Sequence, residues 1–285
     1  MMDATFIILT KNEEKNIALC INSIKAFAKR IVVIDSGSND NTVNIAEKLG
    51  AEVYEHPFEN YARQFNWGID NTNITTKWTV RLDADERFTP ALCGELEQAM
   101  QEHENDDVNG FVLEAWLFFM DKCLKHGGSR KKKLMVFKTG LGRIEDRKMD
   151  EHTILSSGRA LEIKEKFLHY DFKDLGTYVK KLNWYATREM QDYMEARFPD
   201  KGFDGDNKEI TAVRNQKTKY YKLPLFWRCW AYFIYQYVFC GNCLNGKEGF
   251  IYSFLYHLYY RILVDAKIYE QLKYNREFEN TGSLN

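Results

Sequence analysis

Leu82-Asp-Ala-Asp-Glu86 closes an apolar run, and its two aspartates are two residues apart. Side chains at that spacing on a strand share a face, so Asp83 and Asp85 converge at the strand's carboxyl end, where open α/β sheets bind ligands. Two carboxylates there offer hard oxygens to Mg2+ or Mn2+, with phosphate oxygens completing the shell. The plainer reading is a pair of acids capping the next helix. Company argues against it. Asp35 ends a second strand-like run just before the turn Ser36-Gly-Ser-Asn-Asp-Asn-Thr42, and Asn12 and Glu13 follow a third. On one rim, one carboxylate can read a planar base and another a ribose, while a metal and turn amides hold a diphosphate.

The elements that must position these residues alternate at short spacing. Thr5 to Leu9, Arg30 to Asp35, Gly50 to Tyr54 and Trp78 to Leu82 read as strands. Helical patterns fall between them at Glu13 to Ala28, Val43 to Leu49 and Ala62 to Asp70, and a further one runs from Ala91 to His103. Such βαβ alternation predicts a mostly parallel sheet with helices on both faces. Phe111 to Phe119 and Leu134 to Lys138 read as later strands, and Tyr178 to Arg197 as a helix with Leu182, Tyr185, Ala186, Met190 and Met194 on one side. The basic run Arg130-Lys-Lys-Lys133 reads as a solvated face that can also attract a phosphate-bearing acceptor or a membrane headgroup.

The succession Leu9-Thr-Lys-Asn-Glu-Glu14, Val33-Ile-Asp-Ser-Gly-Ser-Asn-Asp-Asn-Thr42, Ala62-Arg-Gln-Phe-Asn-Trp-Gly68 and Leu82-Asp-Ala-Asp-Glu86 resembles family 2 inverting glycosyltransferases of the GT-A fold. The similarity is to the bacterial branch that builds surface polysaccharide and lipopolysaccharide core. It implies an α/β, Rossmann-like sheet with a C-terminal aromatic helical extension. The expected division is a catalytic domain over 1–215, with a nucleotide-binding half 1–110 and an acceptor half 111–215, and an extension over 216–285. The resemblance also implies a UDP-sugar donor and Mn2+ or Mg2+. Asp35 would read the uracil; Thr10, Asn12, Glu13 and Ser36 would line the uridine; Asp83 and Ala84 would lie by ribose and diphosphate. Asp85 would hold the metal with Asp83, and Arg63 would stand near the diphosphate.

An inverting transfer needs a base on the sugar face opposite the departing diphosphate. The resemblance places it in Met149-Asp-Glu-His152, with Glu151 favoured and Asp150 the alternate. The bland reading is a charged surface loop. His169 is implied as a third metal ligand, as late histidines are in some GT-A enzymes; a lone histidine is more often structural. A nucleotidyltransferase could use the same sheet edge, but Lys11-Asn-Glu-Glu14 is acidic where that chemistry wants a glycine-rich, lysine-bearing loop. A silent nucleotide-sugar sensor is the non-enzymatic alternative.

With 40 basic and 41 acidic residues among 285, the net charge is -1, and no global field argues for nucleic acid. A mean hydropathy of -0.50 excludes a polytopic membrane protein. The start of the chain lacks a secretory pattern, and the six cysteines are expected as free thiols in the cytoplasm. Aromatic residues make up 15% of the chain and crowd Leu225 to Cys240 and Gly249 to Val264. Arg228, Gln236 and Arg261 interrupt these stretches, which predicts helices lying in the membrane interface rather than spanning it. On that reading Trp227, Trp230, Phe233 and Tyr237 immerse while Arg228 and Arg261 meet anionic headgroups. The expected setting is the cytoplasmic face of the inner membrane, beside a saccharide acceptor that can be lipid-linked. The competing expectation is a helical layer packed on the catalytic domain or in a homodimer.

Overall fold

The computed structural model describes residues 1–127, 132–145, 152–197 and 219–274. Its strands are β1 (Met2–Thr10), β2 (Ala28–Asp35), β3 (Glu52–Glu55), β4 (Trp78–Asp83), β5 (Glu86–Arg87), β6 (Val108–Phe119), β7 (Lys122–Cys123), β8 (Lys132–Lys138), β9 (Gly142–Ile144), β10 (Thr153–Leu155) and β11 (Arg159–His169). The first four helices are α1 (Ile17–Ile24), α2 (Thr42–Lys48), α3 (Tyr61–Asn71) and α4 (Pro90–Glu102). One sheet runs in the order β3-β2-β1-β4-β8-β6-β11-β5, with β7 on β6 and a separate β9–β10 pair.

The chain is α/β as expected. The strands β3, β2, β1 and β4 are mutually parallel, so Thr10, Asp35 and Asp83 come to one edge in adjacent register. Beyond β4 the sheet is mixed: β8 is antiparallel to both β4 and β6, while β11 is parallel to β6. Alternation along each strand divides the core between the sheet's faces. Phe6, Ile8, Val33, Val80 and Leu82 pack with α1 and α4 residues such as Ile17, Ile21, Leu92 and Leu96. Ile7, Val32 and Ile34 pack the other way, against Ala62 and Phe65 of α3. Gly68 lets α3 sit close, since a Cβ there would meet Ile34 Cγ1 at 3.1 Å.

β11 was absent from the sequence expectation. Its Arg-Ala-Leu-Glu-Ile-Lys-Glu-Lys-Phe-Leu-His is charge-rich, yet Ile163, Phe167 and His169 are buried at period-two or near it. A register shift between Glu162 and Lys166 interrupts the ladder, and Glu95 of α4 accepts the Lys164 and Glu165 backbone N–H groups at 3.1 and 2.8 Å.

Contacts divide the chain into one unit of Met1–Cys123 with Ser129–Asp171, and a second of Leu124–Gly128 with Phe172–Asn285. The division therefore differs from the expected break at 215/216. Helix α5 (Leu175–Arg197) goes with the second unit because it packs on α8 (Tyr260–Tyr274). That unit also holds α6 (Trp227–Ile234), a π-helical turn Tyr235–Phe239, a 3-10 turn Asn242–Asn245, α7 (Gly246–Tyr252) and a longer π-helical stretch Ser253–Tyr259.

Two arginines run through its interior. Arg228, 1% exposed, directs Nε to Asp265 Oδ1 at 3.0 Å and Oδ2 at 3.1 Å. Arg261 donates to Glu189 Oε1 at 2.6 Å, and the Tyr221 hydroxyl donates to the same oxygen at 2.6 Å. Neither guanidinium is available to headgroups, which corrects the sequence expectation: each interrupts an apolar run because it answers a buried acid from another helix. The outward residues are apolar instead, with Trp227 77%, Phe239 76% and Leu244 69% exposed. Phe233 and Tyr237 are only half-buried and stack on each other at 5.5 Å. Among the described residues no helix is long and apolar enough to cross a membrane. The short segment 124–127 is pinned here too: Asn245 accepts His126 N–H at 3.1 Å and donates to His126 O at 2.7 Å. Gly127, at φ 111°, lies so close to Asn242 that a Cβ would come within 2.3 Å of its Oδ1.

Candidate functional site

Three loops at the carboxyl edge of the parallel strands are stitched into one surface. The Asp35 carboxylate organises the turn after β2. Its Oδ2 accepts the Gly37 and Ser38 backbone N–H groups at 2.9 and 2.7 Å, and its Oδ1 accepts the hydroxyls of Thr10 and Ser38 at 2.9 and 2.6 Å. Asp35 is fully buried, and each oxygen already has two donors, so it shapes the turn from within. Gly37 supplies the φ of 79° that this turn requires. The loop after β1 docks on the same turn: Lys11 Nζ donates to the Ser36 and Gly37 carbonyls at 2.9 and 3.0 Å. Asn12 N–H donates to Ser38 Oγ and Glu13 N–H to Thr42 Oγ1 at 2.8 and 2.7 Å. Gln64 of α3, 1% exposed, donates to Ser36 Oγ at 3.0 Å and to His56 O at 2.9 Å. Thr10, Asn12, Glu13, Asp35 and Ser36 are thus brought together, with Asp35 inside the turn rather than on its surface.

Arg63 sits differently. Its backbone N–H is capped by Asn60 Oδ1 at 2.8 Å, and its exposed guanidinium pairs with Glu59 at 2.5 Å, one helical turn back.

After β4 the two aspartates of Asp83-Ala-Asp85 part company. Asp83 Oδ1 accepts the Tyr61 hydroxyl, which in turn accepts Arg81 Nε at 2.8 Å, and Asp83 Oδ2 meets Lys133 Nζ at 3.2 Å. Lys133 also donates to Glu86, whose other oxygen accepts the Asp83 backbone N–H at 3.0 Å. Burial opposes charge on Asp83, but the Lys133 and Arg81 cations and the Tyr61 hydroxyl hold its carboxyl well below the usual carboxylate range. Glu86, fully buried, is pushed up by that burial despite Lys133. Lys133 therefore corrects the view of the 130–133 run as a solvated face; Lys132 is exposed and pairs with Glu162 at 2.5 Å.

Asp85 faces elsewhere. It forms a group with His169 and Asp171 in which one ligand atom from each lies within 4.8 Å of the others. His169 ends β11, and its backbone pairs with Glu86 of β5; Tyr170 N–H donates to Asp85 O at 2.8 Å. His169 is 6% exposed, its Nε2 is 3.5 Å from Asp85 Oδ2, and its Nδ1 has no hydrogen-bond partner among the described residues. Ligands of an octahedral ion at about 2.1 Å stand about 3.0 Å apart when adjacent and about 4.2 Å when opposite. Two carboxylates and an imidazole at these separations therefore fit a divalent cation such as Mn2+ or Mg2+ after slight contraction. The expected set named Asp85, Asp83 and His169. The structure gathers Asp85 and His169 with Asp171, and leaves Asp83 in the Lys133 cluster. Asp171 was legible only as an acid two residues beyond His169, a spacing that places both side chains on one side of an extended segment.

Asp150 and Glu151, the expected base, lie outside the described residues. His152 is half-buried just before β10.

Residues 5–115 match the model of Glycosyl transferase family 2. An uncharacterized glycosyltransferase of Rickettsia felis is 26% identical over 276 residues, which cover 93% of this chain and 89% of that one. Another, of Rickettsia conorii, is 26% identical over 260 residues, covering 87% and 84%. Among solved structures, glucosyl-3-phosphoglycerate synthase from Mycobacterium tuberculosis in complex with Mn2+ and UDP-glucose is 21% identical, with a TM-score of 0.33 over 40% of this chain and 43% of that one.

Proposed function

We propose that the chain is a family 2, inverting glycosyltransferase of the GT-A type that moves a sugar from a UDP-sugar to a saccharide acceptor in the making of cell-surface polysaccharide or lipopolysaccharide. The family match over residues 5–115 and the Rickettsia relatives support a glycosyltransferase of family 2. The single observation that carries the finer reading is the edge itself: turns after β1 and β2 joined by hydrogen bonds, with Asp85, His169 and Asp171 gathered after β4 and β11.

On this reading exposed Asn12 and half-buried Glu13 and Ser36 receive the uridine, while buried Thr10 and Asp35 hold those turns in shape. Asp83 and Ala84 flank the ribose and diphosphate, and Arg63 exchanges Glu59 for a phosphate oxygen. Asp85, His169 and Asp171 hold Mn2+ or Mg2+, which when bound offsets charge on the departing diphosphate. Glu151, or else Asp150, takes the proton from the acceptor hydroxyl on the opposite face of the sugar. Calorimetry with Mn2+ present should show UDP-sugars binding in preference to guanosine or thymidine diphosphate sugars. Tight binding of a guanosine sugar alone would overturn the donor assignment.

The outward Trp227, Trp230, Phe239 and Leu244 support a second element of the proposal, peripheral attachment to the cytoplasmic face of the inner membrane beside a lipid-linked acceptor. A stable homodimer in solution with no binding to vesicles would instead assign that surface to a second copy.

A further inference from the structure

We propose that Lys133 is a positioning residue of this site: by tying Asp83 to Glu86 it fixes the turn that carries Asp85 and leaves Asp85, not Asp83, for the divalent cation. The inference rests on the metal-binding part of the proposed function. Only Ala84 and Asp85 separate the end of β4 from the start of β5, so whatever fixes Asp83 and Glu86 fixes the tip between them. Three contacts do so. Asp83 N–H reaches Glu86 Oε2 at 3.0 Å, the Tyr61 hydroxyl holds Asp83 Oδ1, and Lys133 Nζ spans Asp83 Oδ2 and Glu86 Oε1.

Of these, only Lys133 brings a positive charge to both acids. Glu86 is fully buried beside Asp83, and two carboxylates so placed repel strongly unless a cation lies between them. Lys133 comes from β8, the strand that pairs with β4, and its own side chain is only 21% exposed. The effect reaches the far side of the metal group as well. Glu86 is the residue of β5 that pairs with His169 of β11, and Tyr170 N–H holds the Asp85 carbonyl at 2.8 Å. An ammonium on Glu86 thus steadies both Asp85 and His169, while occupying the oxygen of Asp83 that could otherwise turn toward the ion. Partners behind metal ligands commonly change affinity about 10–100-fold when removed.

The test titrates Mn2+ into the full chain alone, with neither donor nor acceptor, and follows free Mn2+ by electron paramagnetic resonance. Lys133→Met should weaken binding about tenfold or more. Lys133→Arg, which restores the cation, should stay within about threefold of the parent. Because Lys133→Met strands a buried acid, the pair Lys133→Met with Glu86→Gln serves as the second variant; it should fold and bind more tightly than Lys133→Met alone. A folded Lys133→Met that binds Mn2+ like the parent, or an arginine variant as weak as the methionine one, overturns the positioning role while leaving the metal site in place. A parent chain that binds neither Mn2+ nor Mg2+ overturns the metal reading and this inference with it.

Discussion

His169 Nε2 stands 3.5 Å from Asp85 Oδ2, a separation long for a hydrogen bond and suited to two atoms sharing one ion. The two residues come from different strands, one from the tip between β4 and β5 and the other from the end of β11. Asp85→Ala and His169→Ala should each weaken Mn2+ binding and slow metal-dependent hydrolysis of the donor by about tenfold or more. Far-ultraviolet circular dichroism should be unchanged. Parent-like rates for the alanine variants in Mn2+ would remove this group from the reaction.

Asp171→Asn separates the third member from a merely acidic neighbour. It keeps the size of the side chain and one oxygen, so Mn2+ affinity should fall less than in Asp85→Ala, while thermal stability holds. An unchanged Mn2+ titration would place Asp171 outside the group.

Breaking the Arg228–Asp265 pair should be costly. Asp265→Ala leaves a buried guanidinium without its acid, and urea denaturation should show a loss of about 3–5 kcal/mol. Replacing both partners, as Arg228→Met with Asp265→Leu, should recover most of that loss. If Asp265→Ala alone is neutral, the pair is not closed in solution.

The second unit should soften in mild acid. His257, 1% exposed and ringed by Tyr232, Tyr252 and Tyr256, is pushed down to about 3 by burial and by the Arg261 cation. Its folded value lies below the unfolded one near 6.5, so the unfolded chain binds the extra proton between them. The stability it contributes is complete above about pH 6.5 and drains away as pH falls toward 3, by about 2 kcal/mol between pH 6.5 and 5. Measured unfolding free energies for His257→Phe should lack this slope. A parent slope equal to that of the variant would show that other groups set the acid response.

Vesicle flotation tests the outward aromatic surface. Trp227→Ser with Trp230→Ser should reduce recovery with anionic vesicles several-fold while leaving Mn2+ binding untouched, because both side chains point outward in the second unit. Equal recovery of parent and variant would remove these two side chains from membrane attachment.

Parallel βαβ order, the four leading strands and the acids at their ends were legible because each strand is a short apolar run closed by polar turn residues. What escaped was charge that folds inward. Lys133 sits in a basic run indistinguishable by composition from a solvated one, and only the register of β8 beside β4 turns it toward Asp83 and Glu86. The same holds for β11, whose lysines and glutamates conceal the alternation of Ile163 and Phe167, and for Arg228 and Arg261, whose acids lie 37 residues later and 72 residues earlier. Asp171 escaped because a partner acid gains meaning only when the end of β11 is set beside the β4–β5 tip.

His126 accepts from and donates to Asn245 across 119 residues of chain. During synthesis at roughly 5–20 residues per second, that interval is about 6–24 s. Over that time the nascent chain must carry His126 without its eventual partner. The second unit cannot close before Asn242 and Asn245 leave the ribosome. A chain halted before residue 242 therefore gives up more than an appendage: it leaves a loop between β7 and β8 with nowhere to dock, an exposed handle for chaperones and proteases.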